Sequence, residues 1–153
     1  MSTIIRSIEV DVPVSTAFRE LTRFEELPRF MRGVVAVQRL DERHLLWRAQ
    51  ILGVERVWEL EITEITPERT IAWASRAGPK NHGAVVLEPL AAFSTDVSMR
   101  VHYDPSGFVE EVTDYLGMLG RWVERSLLAF KDLMDQPYSP LGRLPPAEEL
   151  VGQ

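Results

Sequence analysis

The chain contains no cysteine, which excludes a disulfide framework, a thiolate nucleophile and every zinc site built on sulfur. Histidine is scarce, with His44, His82 and His102 as its only representatives, and no His-x-x-x-His spacing occurs, so no metal site is expected. No apolar run approaches the ~18 residues of a membrane span. The opening Met1-Ser2-Thr3-Ile4-Ile5-Arg6 meets charge before a signal-peptide stretch forms. The expectation is a cytoplasmic protein without stable membrane insertion. Positive charge is in deficit, with 17 Lys and Arg against 23 Asp and Glu and a net charge of −6. The basic residues are scattered among acids, so nucleic acid is not an expected partner, because phosphate-backbone binding needs clustered Lys and Arg. The glycines form no run ahead of a helix, and no Gly-x-Ser-x-Gly elbow surrounds Ser75, Ser94, Ser98 or Ser106. No cofactor is expected, and most enzyme classes are disfavoured.

What remains is an ordinary globular composition, 45% hydrophobic and 26% charged over 153 residues, enough for one core. Alternation of Ile4, Ile8, Val10 and Val12 with Ile5, Ser7, Glu9 and Asp11 predicts a first strand whose apolar face is interrupted only by Arg6. Pro13 ends it. Ser15 is the expected cap of a short helix from Thr16 to about Arg23. A second short helix, Glu25 to Met31, is set at an angle by Pro28, with Phe24, Leu27, Phe30 and Met31 turned inward.

From Gly33 to Tyr103 the period becomes two, and five short turn signals divide the stretch into six antiparallel strands. In Val54 to Thr66, the residues Val54, Arg56, Trp58, Leu60 and Ile62 share one face. A tight turn at Leu52-Gly53 sets Trp47 opposite Trp58, Ala49 opposite Arg56 and Ile51 opposite Val54, all on the concave side. A bulged turn would shift the pairing but not the facing. By the same parity Ile71, Trp73, Gly83, Val85, Met99 and Tyr103 face inward. On the outer face Glu55, Glu59 and Glu61 form an acidic row, with Arg48 and Arg100 as candidate cross-strand partners.

After Asp104-Pro105-Ser106-Gly107 the spacing of Val112, Leu116, Leu119, Val123, Leu127, Phe130 and Met134 predicts a long amphipathic helix from about Phe108 to Asp135. Residues 1–135 are expected to form one domain. The tail 136–153, with Pro137, Pro140, Pro145 and Pro146, is expected to lack regular structure, apart from a turn near Pro146 to Val151.

Several segments carry a family resemblance: Val10-Asp11-Val12-Pro13, Phe24 to Met31 with Gly33-Val34, and Trp58-Glu59-Leu60-Glu61-Ile62-Thr63-Glu64. Pro67-Glu68-Arg69-Thr70-Ile71-Ala72-Trp73, Leu87-Glu88-Pro89-Leu90 and Tyr103-Asp104-Pro105 complete the set. Over nearly the whole chain these resemble the SRPBCC superfamily, also called START or birch-pollen-allergen-like, and most closely its polyketide cyclase/dehydrase branch. The resemblance implies an α+β helix-grip fold: a seven-stranded curved antiparallel sheet around a long C-terminal helix, in the order β-α-α-β-β-β-β-β-β-α. It also implies a cavity that in different relatives holds lipids, quinones, polyketides or plant hormones.

The expected ligand-binding residues are Trp47, Arg56, Trp58, Trp73, Val85, Met99, Tyr103, Tyr115 and Leu119. Arg56 is the most informative, because a guanidinium on an apolar face must be solvated, paired, or used to hold a ligand oxygen. The resemblance to aromatase/cyclases favours the last role, and a strand-end arginine snorkelling to water is the plain alternative. Tryptophan walls fill a core as readily as they recognise a carbonyl. If the chain is an enzyme, Arg56, Tyr103 and His82 are the candidates for chemistry, with His82 at the cavity edge beside Asn81. Three functions stay open: a module binding a small apolar polyketide, quinone or lipid-like ligand, a cyclase or dehydratase, and a protein-interaction module with a filled cavity. A homo-oligomer is possible but not indicated by the sequence.

Overall fold

A computed structural model describes residues 2–51, 53–77, 80–103, 115–135, 138–139 and 142–143. Strand β1 (Ser2–Val10) is followed by helix α1 (Val14–Leu21) and a 3₁₀ helix at Phe24–Arg29. Six strands come next: β2 (Val34–Arg39), β3 (His44–Ile51), β4 (Val54–Thr66), β5 (Thr70–Ala77), β6 (Asn81–Ala91) and β7 (Ser94–Tyr103). Helix α2 (Tyr115–Met134) and a small hairpin, β8 (Tyr138–Ser139) with β9 (Gly142–Arg143), complete the described chain. The seven strands form one antiparallel sheet in the order β1-β7-β6-β5-β4-β3-β2. Strands β2 to β7 are a meander of local hairpins, and β1 returns to cover the edge of β7. This is the helix-grip fold that the family resemblance implies, with the strand and helix order that the alternation and the final amphipathic stretch predict.

The β3–β4 register is the one expected, with Trp47 on Trp58, Ala49 on Arg56 and Ile51 on Val54. The turn is accommodated by Gly53, which takes the positive φ of +79°. Four expectations need correction. Helix α1 begins at Val14 with Pro13 as its cap residue, not Ser15, and makes no side-chain cap bond. Proline's fixed φ is already suited to that position, and the Pro13 carbonyl accepts from the amides of Thr16 and Ala17 at 3.0 and 3.1 Å. The second turn is a 3₁₀ helix starting one residue early, at Phe24, and it contains Pro28. Arg100 does not reach the acidic row of β4, because β5 and β6 lie between β4 and β7. Arg76 takes that place, pairing with Glu61 at 2.6 Å, while Arg48 pairs with Glu55 as expected. Finally, the tail does carry regular structure, the β8–β9 pair. Residues 104–114, where the helix was expected to begin, and the turn near Pro146 lie outside the described residues.

Inside the grip, Val10, Leu87, Val97 and Val123 are completely or almost completely buried, and Phe130 of α2 packs on Phe30 with ring centroids 5.0 Å apart. The anomalous Arg6 of β1 also has its explanation. Its Nε donates to Glu124 of α2 at 3.1 Å, and its guanidinium passes over Gly120, where a Cβ would lie 2.9 Å from Nη2. A helix-weakening glycine thus makes room for an arginine crossing from sheet to helix.

The outer face carries one unfavourable arrangement. Asp96 stands opposite Glu9 on β1 and Glu88 on β6. Burial, reinforced by the Glu88 and Glu9 charges, raises its pKa. The folded chain therefore holds this proton to higher pH than the unfolded chain does, so stability falls as pH rises from the ordinary aspartate value through the raised one. Replacing Asp96 by Asn is expected to stabilise the domain by about 0.5 kcal/mol at neutral pH. Urea unfolding checks this, and the gain should vanish once the medium is acid enough to protonate all three carboxyls.

Candidate functional site

The concave face of the sheet and the N-terminal half of α2 enclose a cavity of about 500 Å³, within the usual range for small-molecule sites. Its origin is the alternation itself. Inward positions of β4 to β7 supply Leu60, Ile62, Val85, Met99 and Val101, and Leu119 contributes from the helix. All four tryptophans of the chain, Trp47, Trp58, Trp73 and Trp122, line the same space. Helix α2 treats its two halves differently. From Val123 to Met134 its inner stripe is packed, with Val123 and Phe130 fully buried, whereas Leu119, Arg121, Trp122 and Arg125 border open volume.

Of the residues expected to bind a ligand, Trp47, Trp58, Trp73, Val85, Met99, Tyr103 and Leu119 line the cavity. Arg56 is half-buried opposite Ala49 but is not among the lining side chains. It lies near the β3–β4 hairpin end. Tyr115 falls in the first turn of α2, and its side chain lies outside the described residues. His82 is not at the cavity edge. It faces outward, stacked on His102 at 4.8 Å, as its neighbour Gly83 points in. His44 is held at a turn by Asp41 at 2.8 Å.

The polar groups of the wall are few and specific. Trp73 Nε1 donates to Asn81 Oδ1 at 2.9 Å, which fixes that indole against β6, and the backbone N–H of Asn81 donates to Ser75 Oγ at 3.1 Å. Trp122 Nε1 donates to the Arg32 carbonyl at 2.6 Å, tying α2 to the turn before β2. Trp47 and Trp58 pair across β3 and β4, and the indole N–H of each is buried with no acceptor. A donor left in that condition costs about 1–3 kcal/mol.

The described residues that line the cavity include three arginines, Arg32, Arg121 and Arg125, but no His, Asp or Glu. Periodicity missed this rim. Arg32 sits in a turn and Trp122, Arg121 and Arg125 on α2, and the bond from Trp122 to the Arg32 carbonyl brings that turn and the helix together. Among the described residues no group of three or more His, Asp or Glu could hold a metal ion, and no helix is long and apolar enough to cross a membrane.

A curved antiparallel sheet gripping a terminal helix over an apolar cavity defines the START-like class. The chain belongs to the family described as polyketide cyclase / dehydrase and lipid transport, which it matches over residues 10–132. It is 33% identical over 137 residues to an uncharacterized 17.2 kDa protein from the melC2-rnhH intergenic region of Streptomyces lincolnensis, covering 89% of this chain and 91% of that one. Among solved structures it is similar to the Zhui aromatase/cyclase from Streptomyces sp. R1128, with a TM-score of 0.79, 15% identity, and coverage of 94% and 99% of the two chains. A START superfamily protein from Mycobacterium smegmatis superposes with a TM-score of 0.71 at 14% identity, over 85% of this chain and 97% of that one. Family and fold together support a ligand-binding or cyclase-type role.

Proposed function

We propose that the protein binds a small, largely apolar molecule of the polyketide, quinone or lipid-like kind in the cavity between sheet and α2. The observation that carries this reading is the unfilled volume of about 500 Å³ walled by four tryptophans and aliphatic side chains. A module that used its fold only to dock proteins would have no reason to leave that space open, since voids in a core cost stability. Binding is favoured over turnover by the same wall. The described lining residues offer no group that titrates near neutrality, and Tyr103 is a weak acid for proton transfer. Cyclase or dehydratase chemistry would fall to Tyr103, because Arg56 is not part of the wall.

The tryptophans provide the assay. The uncharged fluorophore N-phenyl-1-naphthylamine is expected to quench tryptophan emission and to gain its own by energy transfer as it enters. Ala49, buried and on the cavity wall, is the site for a filling variant. Ala49→Phe places a ring in the void, and we expect at least a tenfold loss of probe affinity, equal to about 1.4 kcal/mol. Thermal stability should be equal or higher. Unchanged probe affinity in a folded Ala49→Phe protein would remove the cavity as the site.

A further inference from the structure

We infer that the ligand is an anionic amphiphile whose carboxylate or phosphate head is held at the cavity mouth by Arg32 and Arg125, with its apolar part among the tryptophans. This inference rests on the binding function proposed above and extends it by naming the charge and orientation of the ligand. Its basis is a local reversal of sign. The chain as a whole carries six more acids than Lys and Arg, yet every charged side chain among the described lining residues is an arginine.

The two rim arginines come from different elements. Arg32 sits in the turn between the 3₁₀ helix and β2, and Arg125 projects from α2. The bond from Trp122 Nε1 to the Arg32 carbonyl brings that turn against the helix beside Arg125. Both arginines also border a shallow depression on the outside of the mouth, with Leu128, Ala129 and Asp132. They therefore lie where the apolar interior meets solvent. Both are exposed, and neither has a carboxylate within ion-pair distance among the described residues. Asp132 shares the depression without pairing to Arg125, and Glu124 is engaged by Arg6. Arg121, one helical turn before Arg125, also lines the cavity.

Guanidinium groups suit such a place. Their planar forks match carboxylate and phosphate oxygens, and they are less strongly hydrated than ammonium, so they tolerate an apolar border. At a mouth walled by low-dielectric side chains, attraction for an anion exceeds that at an open surface. An uncharged ligand would leave two uncompensated cations at the entrance.

The test is displacement of N-phenyl-1-naphthylamine by three amphiphiles with the same tail: dodecanol, dodecanoate and dodecyl phosphate, all below their micelle concentrations. We expect both anions, or the one whose head fits, to displace the probe at least tenfold more tightly than dodecanol, with the advantage shrinking in high salt. In Arg32→Gln/Arg125→Gln that advantage should disappear, and Arg32→Lys/Arg125→Lys should restore only part of it. The stronger of the two anions identifies the head. If dodecanol displaces as well as either anion, or if the Gln variant keeps the preference, the inference is overturned while cavity binding stands. If the uncharged probe and dodecanol fail to bind the parent protein at all, the binding function falls, and this inference with it.

Discussion

Gly83→Ala is expected to destabilise the domain by about 3 kcal/mol and to lower its thermal midpoint by roughly 6–12 °C. Gly83 lies inside β6, paired with Trp73 on one side and Val101 on the other. A Cβ there would be driven onto the backbone carbonyl of Arg100 and would stand 2.7 and 2.9 Å from Cζ2 and Cη2 of Trp73. The carbonyl belongs to a paired strand and cannot retreat. The indole can move only by giving up its bond to Asn81, worth about 0.5–1.5 kcal/mol. Overpacking of about 1–3 kcal/mol adds to that loss. The indole occupies the space that a side chain on β6 would otherwise fill, so the same substitution should alter tryptophan emission. Gly53→Ala provides the contrast, since nothing lies within 4 Å of its Cβ and only the φ of +79° opposes it; about 1 kcal/mol is expected there. Equal effects of the two substitutions in thermal unfolding would refute the steric account of Gly83.

Much of this architecture was legible because strand parity is a local property. The partners of Trp47, Ala49 and Ile51 followed from the position of Gly53 and a period of two, without knowledge of any distant contact. Parity also settles which side a residue faces, and His82 shows what happens when it is set aside: nearness in sequence to the inward Gly83 means the opposite face, here a stack on His102. What parity omits is whether an inward-facing side chain reaches the cavity. Arg56 shares a face with Trp58 and stands opposite the cavity-lining Ala49, yet its own side chain is not part of the wall. The mouth was hidden for a different reason. Arg32 and Trp122 are 90 residues apart, and their bond joins a turn to a helix whose edge, not its apolar stripe, forms the rim. No single-element pattern records such a meeting.

Phe130→Ala is expected to cost about 3–5 kcal/mol. The ring is fully buried and meets Phe30 at 57° between planes, an arrangement worth about 0.5–1.5 kcal/mol beyond the area it removes from water. Its removal leaves a void where α2, the 3₁₀ turn and the sheet converge, and neighbours as tightly held as Val123 and Met134 cannot collapse into it. The informative part is what should not change. Phe130 is not among the residues lining the ligand cavity, whose described border on α2 is Leu119, Arg121, Trp122 and Arg125. Helix α2 is thus anchored through its C-terminal half and roofs the cavity with its N-terminal half. Urea unfolding of Phe130→Ala should therefore show the full stability loss, while probe affinity measured well below the transition stays that of the parent. Ala49→Phe should show the reverse, intact stability with lost binding. If Phe130→Ala loses affinity in proportion to its stability while still folded, the two halves of the helix act as one body, and the cavity is maintained by the core rather than spared by it.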